Sequence, residues 1–429
     1  MAREQQPTGR ANARRQAKAS GLVRHKRHSR WREFWAPLLK VVAITLAVAL
    51  VSGASVAAIA VSQFATKVAA NSVDISNGKK PAKAATAASF AGGFNVLVVG
   101  IDNSTAQGQS YGKRDSTLND VNILLHVSAD HKSAVVVSIP RDLVVAQPEC
   151  TNLETGDVNS AVNAESVNAS YGRGGLGCVV STVSELTGLD IPYAGLISFE
   201  GTVAMADAVG GVPICLNDAI DDPASGLNLP AGTSVVAGQT ALSYLRSRHG
   251  VGDGSDLSRI SSQQAYMSSL MRVMKSNSTL TDVSKLTGLA NAAGTNLKLS
   301  TSLANIPTMV SMALALKDID LNKLVFVQYP SAEDPDDTAK LVPSADLATA
   351  LFAKVRADQP FTLDENALGN STEADPAAPA PAATPAPAAT PGPTATDAAA
   401  TPAPAAPETI AGLRGQTANQ QTCSIAYDY

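Results

Sequence analysis

The sequence lacks a CxxC pair, and none of its five histidines stands near any of its four cysteines at a zinc-finger spacing, so a structural zinc site is not expected. It also lacks the P-loop spelling GxxxxGK[ST] and the HExxH helix of zinc peptidases. No internal repeat is visible. A basic body is missing as well. Residues 1–40 carry eleven Lys/Arg against two Asp/Glu, a net +9, whereas the other 389 residues are net −13. A body of that sign repels the phosphate backbone, which excludes nucleic acid as the main partner. The basic tail itself shows no helix-turn-helix pattern, and topology explains its charge better than DNA binding does.

What separates the two charge regimes is Val41 to Ser62, an uncharged apolar run rich in Ala, Val, Leu and Ile. As a helix its 22 residues reach roughly 33 Å, enough for a hydrocarbon core of about 30 Å. A secretory h-region is usually only about 7 to 15 residues long, so the run is read as a single transmembrane anchor. Arg24, Lys26, Arg27, Arg30 and Arg32, with Trp31 and Trp35, precede it. Positive residues stay inside and Trp sits at the interface, so the N-terminus is expected in the cytoplasm and the body outside the cell membrane.

The cysteines Cys150, Cys178, Cys215 and Cys423 all follow this run, where they can oxidise. Four cysteines allow three pairings and sequence does not choose among them. Cys150 with Cys178 would staple a loop-rich stretch and leave Cys215 for Cys423. Dispersed in this way, the four suggest bridges rather than a nucleophile. The expected organisation is a tail (1–40), the anchor (41–62), a stalk (63–93), a body (94–360), a disordered linker rich in Ala, Pro and Thr (361–408), and a short C-terminal tail (409–429) that could dock back. The linker's ten prolines between Ser371 and Ile410 cannot build a core.

Within the body, apolar β-rich runs predict strands at 95–99, 121–127, 134–139, 212–216 and 324–328. Helical patterns are expected over 179–186, 199–209, 238–246, 261–275 and 347–356, the last capped by Ser344. Strands alternating with helices predict a layered α/β domain.

Ligands of such sheets sit beyond the strand tips. The first strand runs out into Asp102, the second follows Lys113 to Asp120 with Arg114 inside that loop, and the third runs into Arg141 and Asp142. Asp102 with Asp120 suits a hard divalent cation such as Mg²⁺ or Mn²⁺, and arginines supply planar donors for phosphate. Further on come Arg246 and Arg248, which share a side if the chain is extended, then Asp253, Asp256, Arg259 and Gln263-Gln264. Asp256 and Arg259 could equally be a surface ion pair at helical spacing. His126 sits mid-strand, His131 in a turn, and His249 beside the arginines; all three are read as bystanders. Clustered Arg with paired Asp is equipment for phosphoryl transfer by charge neutralisation and positioning.

The ordered succession NVLVVGID ending at Asp102, DVNILLHV from Asp120, VVSIPRD through Arg141, VNASY to Tyr171, FEG at Phe199, GGV at Gly210, ALSYLRSR through Arg248 and DLSR from Asp256 with Gln263-Gln264 resembles the LytR-CpsA-Psr family. The resemblance implies a layered α-β-α domain with a central mixed sheet and an apolar lipid-binding cavity. It implies a membrane-anchored, Mg²⁺-dependent transferase that moves a glycopolymer from a polyprenyl-pyrophosphate carrier to peptidoglycan as a phosphodiester. Asp102 and Asp120 would hold the metal. Arg114, Arg141, Arg246, Arg248, Arg259 and Gln263 would hold the pyrophosphate, and Arg141 would act in catalysis with the two aspartates. If water replaced the acceptor hydroxyl, pyrophosphatase activity would follow. The alternative is a non-catalytic binding scaffold for polyprenyl phosphate or wall glycan. Two positions depart from the family pattern: Arg114 stands six residues before Asp120 instead of adjoining the second Asp motif, and Ser262 replaces the usual Arg before the Gln pair.

Overall fold

The computed structural model describes residues 39–43, 45, 52, 59, 61–76, 92–103, 117–153, 155–275, 283–369, 371–378 and 407–427. The chain divides into two units at Ser62/Gln63. The anchor expected at 41–62 therefore lies largely outside the described residues. Among the described residues no helix is long and apolar enough to cross a membrane.

In chain order the second unit forms β1 (Phe94–Ile101), β2 (Asn119–Val127), β3 (Ala134–Ile139), α1 (Ser170–Thr187), β4 (Tyr193–Ile197), α2 (Phe199–Val209), β5 (Val212–Leu216), β6 (Gly232–Val236), α3 (Gly238–Arg246), α4 (Asp256–Lys275), α5 (Val283–Asn296) and β7 (Leu297–Leu299). There follow α6 (Ile306–Lys317), β8 (Leu324–Gln328), α7 (Ala345–Arg356), β9 (Thr372–Ala374), β10 (Gly415–Thr417) and β11 (Thr422–Ser424), besides short hairpin strands. The central sheet has seven strands in the order β7-β4-β1-β2-β3-β8-β10. It is mixed: β1 runs antiparallel to β2 but parallel to β4, and β3 runs parallel to β8.

Alternation along the strands sends neighbouring residues to opposite faces. Leu97, Val99, Leu124, Val137 and Val327 pack with Val179 and Val183 of α1 and with Leu351, Phe352 and Val355 of α7. The other face, with Val96, Ile123, Leu125, Val136 and Phe326, packs with Met267 and Met271 of α4 and with Met312 and Ala315 of α6. Three layers result, as expected. A second sheet, β6-β5-β11-β9, closes a smaller core around Ile214, Val236, Tyr244 and Tyr266.

Ser198 caps α2 by accepting the Gly201 N–H at 3.2 Å. Ser344 occupies the equivalent position before α7, but its side chain makes no cap hydrogen bond, contrary to the sequence expectation.

The largest departures lie at the edges of the expected body. Of the stalk, residues 63–70 are helical, Val68 is buried, and the Val73 N–H donates to the Leu299 carbonyl at 2.8 Å. The C-terminal stretch does more than dock: β10 is an edge strand of the central sheet and β11 lies between β5 and β9. Within the expected linker, Phe361–Thr362 pairs with Glu408–Thr409 and β9 pairs with β11; positions 379–406 lie outside the described residues. Short polar strands such as Gly415–Thr417 carry no periodic signal, and only the sheet edge they complete makes them strands. Both disulfides, Cys150–Cys178 and Cys215–Cys423, form as the sequence suggested.

Candidate active site

Three neighbouring strand tips carry the charged residues. β1 leaves the sheet at Asp102, which is 1% exposed. Its N–H donates to the Leu118 carbonyl at 3.2 Å, and its Oδ1 accepts the Leu118 N–H at 2.9 Å. Asp102 thus clips together the two ends of the 104–116 stretch. That stretch, with Arg114, lies outside the described residues.

The register of β1 against β2 shifts between Gly100 (opposite Val121) and Ile101 (opposite Asn119). A bulge of this kind leaves one residue unpaired and re-aims its side chain, and here the residue is Asp120. It reaches Arg141, which follows Pro140 at the end of β3.

Arg141 is the hub. Its Nη1 lies 2.6 Å from Asp120 Oδ1, and its Nε lies 3.4 Å from Asp142 Oδ2 and 3.6 Å from Asp256 Oδ1. Burial by itself lowers the pKa of this guanidinium, but Asp120 and Asp256 outweigh it and hold the pKa above the ordinary value. Arg259 Nη2 meets Asp256 Oδ1 at 2.6 Å and donates to the Asp120 carbonyl at 2.9 Å. The alternative of a surface pair for Asp256 and Arg259 is therefore corrected: each is only 6% exposed. A buried pair of this sort costs desolvation and is poor evidence for stability, which points to a role in the site.

Arg246 and Arg248 separate. Arg246 ends α3 with its guanidinium carbon 4.5 Å from the Phe199 ring centroid, a cation–π arrangement. Arg248 faces the Asp/Arg cluster. Burial, then repulsion from Arg141, lowers its pKa, with Asp256 and Asp142 opposing. The Nε groups of Arg248 and Arg259 are buried with no hydrogen-bond partner among the described residues. Such donors call for an acceptor, and a phosphate oxygen is the matching one.

Beside the cluster lies a cavity of about 290 Å³ between the β1–β2 pair and helices α2, α3 and α4. Val98, Ile123, Met205, Leu245, Met267 and Leu270 supply apolar walls, and the charged residues in its lining are Asp120 and Arg246. Gln263 also lines it, but its Nε2 donates to the Leu245 carbonyl at 2.8 Å, so it braces α3 against α4.

Asp102 and Asp120 fit a hard cation in part. They stand on adjacent strands across the bulge, and two carboxylates are the number Mg²⁺ usually takes when phosphate completes its shell. One oxygen of each is committed, to the Leu118 N–H and to Arg141. The one cation-sized group of acidic or thiol ligands among the described residues is Cys215, Asp375 and Cys423, and its sulfurs are bonded to each other.

Sequence reasoning missed the position of Phe199 under Arg246 and the place of Asp256 at the centre of the arginines. The FEG spelling marked the first without giving it a role. His126 bridges Asn95 Oδ1 (2.8 Å) and Asp358 Oδ1 (2.9 Å), a structural contact on a different part of β2. Two motif-like glycine spacings occur in the chain. Gly172-x-Gly174-x-x-Gly177 lies in the kinked first turns of α1, which no parallel Rossmann strand precedes. Gly108-x-Ser110-x-Gly112 lies outside the described residues.

A family model described as "LytR_cpsA_psr family" matches residues 59–355. The cell wall biosynthesis protein LcpA of Corynebacterium glutamicum is 32% identical over 316 residues, which is 67% of this chain and 57% of that protein. The polyisoprenyl-teichoic acid–peptidoglycan teichoic acid transferase TagT of Bacillus subtilis is 25% identical over 245 residues, 56% of this chain and 70% of that one. The chain spans about half the length of several curated relatives that it matches. Protein gbs0355 of Streptococcus agalactiae, known from a crystal structure, aligns with a TM-score of 0.51 at 21% identity, covering 62% of this chain and 88% of that one. That likeness supports the fold alone.

Proposed function

This chain belongs to the LytR_cpsA_psr family, and on that premise we propose that it transfers a glycopolymer from a polyprenyl-pyrophosphate carrier to peptidoglycan. One observation carries the reading: Asp120 lines an apolar cavity and ion-pairs with Arg141 at 2.6 Å. A site that joins a greasy slot to a dense group of arginines matches a ligand with an apolar tail and a pyrophosphate head.

In this mechanism the prenyl chain lies among Val98, Met205 and Leu270, and the pyrophosphate crosses the cavity's charged end toward Arg141, Arg248 and Arg259. The acceptor hydroxyl oxygen of peptidoglycan attacks the polymer-bearing phosphorus. A new P–O bond forms, the bond to the bridging oxygen breaks, and polyprenyl phosphate leaves with that electron pair. The hydroxyl proton passes to a carboxylate of the cluster. The arginines neutralise charge that spreads over the phosphoryl oxygens, and because carboxylates hold Arg141 and Arg259 in place these two need no reorganisation. Asp102 and Asp120 would hold Mg²⁺ or Mn²⁺, which would supply further charge neutralisation at the phosphates.

The setting proposed is a single-pass anchor at 41–62 with a cytoplasmic N-terminus and an extracytoplasmic domain. The charge asymmetry, the apolar run and two disulfides, which persist in oxidising compartments, support it. Incubating the purified full-length protein with a lipid-linked polymer and peptidoglycan tests the activity: polyprenyl phosphate should appear together with polymer bound to the wall. Binding of the lipid without turnover would instead indicate a scaffold.

A further inference from the structure

Between Arg248 and Asp256 the chain passes Gly250, Gly252 and Gly254, and the last two take left-handed φ of +52° and +80°. The loop braces its second half, where Asp253 Oδ1 accepts the Ser255 N–H at 2.9 Å and the Ser258 hydroxyl at 2.6 Å, while its glycines carry no side chain to fix the rest. Its other neighbour is Ser247, whose hydroxyl donates to Asp222 Oδ2 at 2.7 Å. Arg248 meanwhile feels the like charges of Arg141 and Arg259, and Asp256 and Asp142 attract it in turn. A segment that fixes the loop also fixes the base of this side chain.

The end of the chain does so. The Gly252 N–H donates to the Ile425 carbonyl at 2.9 Å, and the Tyr427 N–H donates to the Gly250 carbonyl at 3.0 Å. Val251, fully buried, pairs antiparallel with Ala426. The closing segment is itself fixed, because Cys423 is bonded to Cys215 of β5 and the Ala426 N–H donates to Asn217 Oδ1 at 2.9 Å. The fit leaves no slack: a Cβ on Gly252 would lie 2.5 Å from Ser258 Oγ and 2.7 Å from Ser371 Cβ. Ser371 and residues 422–427 all lie beyond the 59–355 region that the family model matches.

We propose that residues 422–427 form a strap that positions Arg248 for the phosphate headgroup by holding the loop from His249 to Ser255. The idea rests on the headgroup role given to Arg248 above. Ile425 and Tyr427 act through main-chain groups as positioning residues and touch no substrate. The strap gives this chain a preformed guanidinium where a free loop would have to be ordered on each binding event, a cost that preorganisation removes.

The test uses the full-length protein with Tyr427→Pro, which deletes one N–H of the strap, and Tyr427→Ala, which keeps it. Two readouts are taken: hydrogen–deuterium exchange over 249–255, and affinity for geranylgeranyl pyrophosphate with and without Arg248→Ala. The strap predicts that Tyr427→Pro speeds loop exchange and weakens binding about tenfold, and that Arg248→Ala costs much less in that background than alone. Tyr427→Ala, which keeps the N–H but loses the ring beside Gly254, should fall between Tyr427→Pro and the parent. Should Tyr427→Pro fail to fold, the paired Cys215→Ser/Cys423→Ser variant takes its place with the same expectations. Unchanged exchange over 249–255, or fully additive losses of affinity, overturns the strap. If the loop loosens but the parent protein does not bind the pyrophosphate at all, the strap stands as a loop anchor and the headgroup reading falls.

Discussion

Arg141 Nη1 lies 2.6 Å from Asp120 Oδ1, and that aspartate also lines the apolar cavity. Apolar cavity and arginine cluster therefore share a side chain. Asp120 gets there through a one-residue register shift in the β1–β2 pair. Arg141→Ala removes the hub and the ion pair of Asp120, while Asp256 keeps Arg259. We expect kcat to fall about a hundredfold or more while Arg141→Lys recovers only part, because an ammonium cannot reproduce the planar fork. Turnover of a lipid-linked donor checks this, with circular dichroism confirming the fold.

The cavity makes a separate prediction. Met205 supplies part of its apolar wall, so Met205→Trp should occupy space that a prenyl chain needs. KM for long-chain polyprenyl donors should rise at least about fivefold, with affinity for inorganic pyrophosphate within about twofold of the parent. Equal losses for both ligands would place the lipid elsewhere.

Acid stability should depend on Asp222. Burial raises its pKa, but hydrogen bonds from Ser247, Ser225 and Ala224 outweigh that, so the folded value lies below the ordinary carboxylate value of 3.8. A depressed folded pKa contributes stability above the unfolded value, and that contribution disappears as pH falls below about 4. Melting curves from pH 6 to pH 2.5 should show Asp222→Asn losing less of its melting temperature on acidification than the parent, from a lower start at neutral pH.

Both disulfides should matter for stability. Cys150–Cys178 closes a 28-residue separation, and Cys215–Cys423 joins parts of the chain 208 residues apart. Each is expected to contribute about 2 to 4 kcal/mol. Reduction followed by thermal melting should lower the melting temperature by several degrees, and the single pair Cys150→Ser/Cys178→Ser should account for only part of the drop.

Elements that announce themselves by pattern were legible in the sequence. The runs at 134–139 and 324–328 are apolar but for Ser138 and Gln328 because both faces of the sheet are covered, and 199–209 is framed by a Ser cap and a Gly stop. The charged candidates at strand tips were also legible, since Asp102 and Arg141 come after apolar runs and Asp120 directly precedes one. Geometry that depends on pairing was not. A register shift aims Asp120, and no spacing in the sequence shows a shift. Asp256 looked like half of a surface pair until α4 was packed against the β2 and β3 tips. The C-terminal strands were hidden for a related reason: Gly415–Thr417 and Thr422–Ser424 are too short and polar to show a period, and a Pro-rich stretch separates them from everything they pair with.

The most direct test of the central claim is a single-turnover assay with a purified polyprenyl-pyrophosphate-linked glycopolymer and peptidoglycan, comparing the parent protein with Arg141→Ala. The account predicts stoichiometric release of polyprenyl phosphate coupled to phosphodiester-linked polymer on the wall in the parent, and near-complete loss of both in the variant. Polymer attachment that proceeds equally well without Arg141, or no release of polyprenyl phosphate by a folded parent protein that binds the donor, would contradict it.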